Sequence, residues 1–264
     1  MKTLRIIFAT VLLGIVKLIT AQDSSVPPAP QPAPVSGYTT SEDKPYNGFF
    51  NIAFGITQPM GAFNREPVNQ YSGYALTGGS FSFSAGLPIA HSNFGVALMY
   101  NYSSNLFNVD DYVSNIQMSD ESRNYIPVLQ DAYSENFFMA GLYATIPIDP
   151  IAIDFRLMGG PAVCNLPEVV YTANSTAPTA TQDPVWHING STSTSFATDG
   201  GVTIRYKVGD FSLLGGIDYL WADPIVSTTE RYTDQFGNVS YSHIGGSSPI
   251  SLFSYSLGFG FDFR

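Results

Sequence analysis

Seven charged residues stand out because of what surrounds them. Asp154, Arg156, Asp199, Arg205, Lys207, Asp218 and Asp262 all interrupt segments in which large apolar residues alternate with small ones. Successive side chains of an extended chain point to opposite faces. On that parity all seven share the face of the small residues. Four acids and three bases on one face can exchange charge-assisted hydrogen bonds. Two roles fit such a set: an internal salt-bridge network, or the lining of a narrow, leaky or gated path for ions.

Other candidates for chemistry are sparse. His91, His187 and His243 are the three histidines, and Asp183, Asp223 and Asp234 lie in the same two segments as the latter two. Hydrolysis or acyl transfer would need one of these pairs to meet, and no spacing demands it. No i, i+2 or i, i+4 histidine pair suggests zinc. Asp110, Asp111, Asp120, Glu121, Asp131 and Glu135 offer oxygen ligands, yet no Asp-x-Asp-x-Asp-Gly pattern organises them for calcium. They read as a solvated acidic loop. There is no glycine-rich phosphate loop and no nucleophile elbow, so no cofactor is expected. Cys164 is the only cysteine. An intramolecular disulfide is therefore impossible, and a small apolar residue at a strand end is the expected role.

The elements that carry the seven charges are strands. Phe253, Tyr255, Leu257, Phe259, Phe261 and Phe263 alternate with Ser254, Ser256, Gly258, Gly260 and Asp262. If the large face met a protein core, Ser and Gly would face water, where charged residues are usual. If it met lipid, the small face would line a narrow interior. The lipid reading predicts an even number of such strands, with long and short connections alternating.

Seven further segments show the same alternation: 50–57, 80–87, 94–102, 138–146, 151–158, 196–207 and 211–221. Each is near the roughly 9–11 residues a tilted strand needs to cross a bilayer. The connections run long, short, long, short, long, short, long. Backbone groups at an open sheet edge would be unsatisfied in lipid, so the sheet should close. The expected fold is all-β, a closed antiparallel eight-stranded transmembrane up-and-down barrel. Two aromatic girdles fit as well. Tyr100, Tyr102, Phe137, Phe138, Phe196, Tyr219, Trp221, Phe253 and Tyr255 fall near one set of strand ends. Phe49, Phe94, Phe155, Tyr206, Phe211, Phe261 and Phe263 fall near the other. A soluble β-sandwich is the alternative fold, although it does not force every long loop onto one end.

Composition agrees. Hydrophobic residues make up 44% of the chain and charged residues only 12%, about half the usual charged share of a soluble domain. Residues 1–21 have a basic start, an apolar run from Ile6 to Ile19 and a small final residue, which marks a secretory signal peptide. Lys17 interrupts the run and leaves it short for a retained membrane anchor. No cysteine follows to carry a lipid. Removing this segment takes away Lys2, Arg5 and Lys17 and no acid, which leaves a net charge of 8 − 21 = −13. Such a balance argues against a nucleic-acid partner. Residues 22–47 are a Pro-rich linker with Pro27, Pro28, Pro30, Pro32 and Pro34, suited to extended polyproline II. Residues 48–264 form the barrel domain.

On the alternating strands, the asymmetric connections and the aromatic final strand, the chain resembles the small eight-stranded bacterial outer-membrane barrels of the OmpA and OmpX type, in a Bacteroidetes-like style. The resemblance spans about residues 48–264 and carries no catalytic motif. It implies an integral outer-membrane protein among lipid and lipopolysaccharide, with a periplasmic tail and long extracellular loops. It implies that the final strand, Phe253 to Phe263, is read by the barrel assembly machinery, although Arg264 follows the terminal aromatic. It does not carry over the peptidoglycan-binding domain that follows the OmpA barrel. The implied role is structural, or interaction at the cell surface with an unidentified extracellular ligand. A narrow porin-like channel is the alternative and an enzyme at the outer rim a weaker one.

Overall fold

The computed structural model describes residues 48–64, 73–89, 92–174 and 179–263. The expected signal peptide, the expected linker and His91 lie outside the described residues. Eight antiparallel strands close on themselves: β1 (Gly48–Pro59), β2 (Gly78–Pro88), β3 (Phe94–Leu106), β5 (Ala132–Ile148), β6 (Ile151–Leu166), β9 (Ser191–Val208), β10 (Phe211–Ala222) and β13 (Ile250–Phe263). Each of these strands pairs with the next in this order, and β13 pairs back onto β1 from Gly48↔Phe263 to Pro59↔Leu252. Closure leaves no strand edge, which is what hydrocarbon demands of a sheet. The result is the barrel expected from the alternation, and it excludes the sandwich.

The polarity is inside-out relative to a soluble protein. Leu257 is 75% exposed, Leu157 67% and Leu98 65%, while Arg205 is fully buried. Aromatic pairs run across the outer surface between neighbouring strands, among them Phe54 with Phe81 and Tyr219 with Phe253. The closed sheet and its apolar exterior together define a membrane-spanning barrel. At the Val208–Gly209–Asp210 turn, Gly209 has φ +70°, a region that only glycine enters freely.

Two girdle assignments need correction. Phe49 is buried and points inward, and Phe137 is completely buried on the same face as Met139. Neighbours in a strand cannot share a face, so Phe138 alone meets lipid at that level. Parity already separates them: Phe49 shares its face with Asn51, Ala53 and Gly55, and Phe137 with Met139 and Gly141.

The four long connections all lie at one end of the barrel, and they are not simple polar loops. The second contains α1 (Val109–Ser119) and β4 (Tyr125–Gln130), the third β7 (Val169–Ala173) and β8 (Val185–Ile188), and the fourth β11 (Ile225–Thr233) and β12 (Val239–Ser247). These strands form a second sheet in the order β12-β11-β8-β7-β4. Helix α1 starts where Asn108 accepts a bond from the Asp111 amide, with Asp110 and Asp111 placed favourably in its first turn. Val109, Tyr112, Val113 and Ile116 form its inward stripe. Strands β5, β6 and β9, of 17, 16 and 18 residues, are longer than a bilayer needs and rise into this crown.

The apolar belt generates a prediction. Leu257→Arg at mid-strand should destabilise the barrel in liposomes by about 2–4 kcal/mol, as measured by denaturant titration, because a cation is then forced into hydrocarbon. An equal cost for Ser256→Ala, on the opposite face, would contradict the inside-out assignment.

Candidate functional site: barrel interior and crown cavity

The strand register puts all seven charged residues inside the barrel, where they form two clusters. In the first, Arg205 bridges Asp154 and Asp262. Its Nε donates to Asp154 Oδ2 at 2.6 Å, one terminal nitrogen to Asp154 Oδ1 at 3.0 Å and the other to Asp262 Oδ1 at 2.7 Å. Lys207 Nζ lies 3.6 Å from Asp262 Oδ2. Thr145 donates to Asp154 Oδ1 at 2.6 Å. The Arg205 guanidinium also sits 4.7 Å from the centre of the inward-facing Phe49 ring, a cation–π contact.

In the second cluster Arg156 takes two carboxylates and a hydroxyl. It donates to Asp218 and, at 2.7 Å, to Thr203 Oγ1, and its Nε lies 3.5 Å from Asp199 Oδ2. Gly201 makes room for this: a Cβ there would collide with the Asp218 carboxylate. The planar guanidinium suits both clusters because it presents several donors in a fixed fork.

The remaining interior is filled by side chains. Tyr143 and Phe49 pack edge to face at 5.1 Å. Their rings occupy the space that a Cβ at Gly86 or Gly95 would need. Above the charges, Met99, Met139, Met158, Phe137, Leu220 and Leu252 are all buried. An eight-stranded barrel has room for its own side chains and little else. The alternation signal missed one member of the lumen: Glu135, placed by the sequence reading in an acidic loop, is fully buried on β5 and accepts from Ser103 at 2.6 Å. Its parity with Phe137 and Met139 was the available clue. Cys164 is buried two residues from the end of β6.

Of the final-strand residues, Tyr255, Leu257 and Phe261 point outward and exposed, Phe253 and Phe259 are partly covered by neighbouring rings, and Phe263 pairs with Gly48.

The crown has an aromatic core of its own. Tyr74, Phe107 and Tyr112 pack at 5.4–5.8 Å and Tyr112 meets Tyr171 at 5.8 Å. Trp186 stacks on Tyr171 at 5.3 Å, nearly parallel, and packs against Tyr232 at 4.8 Å. Beside this cluster lies a cavity of about 460 Å³. Its walls come from α1 (Tyr112, Asn115, Ile116), from β7 (Val169, Tyr171), from the β11–β12 hairpin (Val226, Thr228, Glu230, Ile244) and from Tyr74, Phe107 and Tyr133. Burial and the nearby Glu230 carboxylate push the Tyr112 hydroxyl up to about 12.

The crown acids do not gather into one site. Asp110 and Asp111 start α1, Asp131 accepts from the Ala132 amide, and Asp120 accepts from Ser122 and Tyr125. The histidines stay apart too. His187 pairs with Glu168 at 2.6 Å, and His243 lies 3.4 Å from Thr229. Asp223 accepts from Ser247, and Asp234 closes its own turn through Asn238. Among the described residues no group of three His, Cys, Asp or Glu side chains could hold a metal ion.

No protein-family model matches this chain, and no curated protein matches it. Solved structures do. The chain is similar to outer-membrane β-barrels. Neisserial surface protein A shares 12% identity at a TM-score of 0.42, over 82% of this chain and 97% of that one. A major outer membrane protein from Thermus thermophilus shares 13% at 0.45, over 82% and 99%. Ail, the attachment invasion locus protein of Yersinia pestis, shares 12% at 0.37, over 81% and 99%.

This geometry supports two predictions. Arg205→Leu leaves the buried Asp154 carboxylate without its cation and Asp262 with Lys207 alone, so it should cost about 3–5 kcal/mol; the melting temperature of the folded barrel in detergent, read by heat-dependent gel shift, should fall accordingly. In the crown, hydrogen bonds from Ser122 and Tyr125 hold the Asp120 carboxyl below its ordinary value. A depressed carboxyl contributes order above the unfolded value of about 3.9 and loses it as pH falls through the lower, folded value. The Ser122 amide resonance should therefore titrate with a midpoint below the ordinary one, and a midpoint above it would refute the hydrogen-bonded turn.

Proposed function

We propose that this chain is an integral protein of the bacterial outer membrane whose barrel is a sealed anchor and whose crown meets the environment. The observation that carries this reading is the filled interior. Two guanidinium-centred clusters and a layer of Met, Phe and Leu side chains occupy the lumen, while the chain orders a second sheet, a helix and an aromatic core at one end. An ordered crown with its own core is suited to presenting a surface to a binding partner.

In this reading the N-terminal segment 1–21 directs export and residues 22–47 form a periplasmic tail. Chain ends and short turns face the periplasm, and the four long connections face outward among lipopolysaccharide. The apolar belt meets membrane lipid, and the aromatic final strand serves recognition by the assembly machinery. Catalysis at the rim is not part of the reading, because His187, His243, Asp223 and Asp234 each engage a different neighbour.

Conductance tests it. Folded barrel in a planar bilayer should pass no discrete current. Reproducible current steps would overturn the sealed anchor in favour of a narrow channel, with Asp199, Arg205, Lys207 and Asp218 as its selectivity residues.

A further inference from the structure

The crown cavity has a chemistry distinct from the rest of the surface. Its rings stand at steep angles to one another: 85° between Tyr74 and Tyr112, 60° between Phe107 and Tyr112, 75° between Tyr112 and Tyr171. The rings of Tyr74, Phe107, Tyr112, Tyr133 and Tyr171 all line the cavity. Among the lining residues Glu230 is the one charged side chain, and no lysine, arginine or histidine is present. A volume of about 460 Å³ falls within the usual range of small-molecule sites.

The walls are also held in place. Tyr74 has φ +59°, a left-handed backbone that a bulky residue adopts only against strain. Its hydroxyl accepts from Asn115 on α1 at 2.9 Å, and Tyr133 donates to the Gly73 carbonyl at 3.1 Å. Strained backbone of this kind clusters at binding sites, and here the strained residue is held through its hydroxyl and its preceding peptide. The basic side chains nearby are turned to other work. Arg123 lies over Trp186, and His187 pairs with Glu168. The chain as a whole is acidic, with a net charge of −10, and this field would draw cations towards the crown.

We infer that the crown cavity binds a small organic cation, a quaternary ammonium or protonated amine, held by cation–π contact with Tyr74, Tyr112 and Tyr171 and by the Glu230 carboxylate. The ring quadrupole attracts a cation over each aromatic face, and a desolvated ammonium gains most from it. Glu230 supplies the opposite charge and Asn115 a polar group within the walls. The inference deepens the surface-interaction reading by naming a ligand class for the crown, and it rests on that reading only for the outward orientation.

Choline and 3,3-dimethylbutan-1-ol are the probes, since they share a shape and differ in charge. The full chain, refolded in a maltoside detergent without an ammonium headgroup, is titrated with each by calorimetry. Choline should bind saturably, about ten-fold more tightly than the neutral isostere. Glu230→Gln, on an exposed hairpin, should weaken choline about ten-fold and leave the isostere unchanged. Tyr112→Leu should weaken choline while the heat-dependent gel shift stays intact. Equal binding of the two probes would overturn the inference and leave an apolar cavity only. So would the absence of saturable choline binding by verified folded barrel up to tens of millimolar. Because the measurement is made in micelles, its failure is separate from any failure of the sealed-anchor reading in a bilayer.

Discussion

Hydrocarbon supplies no hydrogen bonds, so every backbone N–H and C=O inside the membrane must find a partner within the protein. That constraint governs this chain. It forces β13 back onto β1 and leaves no edge among the eight strands. It also inverts the usual sorting of residues. Leu, Ile and Phe stand outward where a soluble protein would place charge, and charge goes into the narrow interior. Once the sheet is closed, each strand position has one of two fates, lipid or lumen.

The lumen then becomes an electrostatic problem. A charge buried without partners is expensive, whereas one surrounded by opposite charges and hydroxyls is tolerated. The chain meets this with two arginines, each holding two carboxylates. Arg205 serves Asp154 and Asp262 and rests on Phe49, while Arg156 serves Asp218, Asp199 and Thr203. Small residues such as Gly201 are placed where these side chains need space. In the sealed-anchor proposal these charges fill the barrel rather than line a pore. They tie β6, β9, β10 and β13 together across the interior as well as through the ladder.

The crown follows a different rule. Outside the hydrocarbon layer the chain can bury apolar groups in the ordinary way, and it does so with tyrosines and tryptophan. The stripe on α1, the Tyr171–Trp186 stack and the β11–β12 hairpin build a small soluble-type core on a membrane-type base. Aromatic rings with polar tips suit this position, because their bodies pack while their hydroxyls reach each other or water.

Period-two patterning was enough to define the barrel. A period-two alternation repeated eight times, with every long connection on the same end, leaves one closed arrangement, and the parity of each strand placed Asp154, Arg156, Asp199, Arg205, Lys207, Asp218 and Asp262 on the inner face. Which of them meet depends on how the strands are staggered around the lumen. Arg205 lies 51 residues from Asp154 and 57 from Asp262, and pairing across a lumen depends on shear and register that local pattern does not encode. The inward turn of Phe49 and Phe137 and the burial of Glu135 follow from parity once β1 and β5 extend to Gly48 and Ala132. The crown was least legible, since α1 and its sheet are assembled from short segments separated by polar ones. Val109, Tyr112, Val113 and Ile116 repeat at helical spacing, but which distant residues they meet, Tyr171 and Trp186 among them, is fixed only when the loops come together.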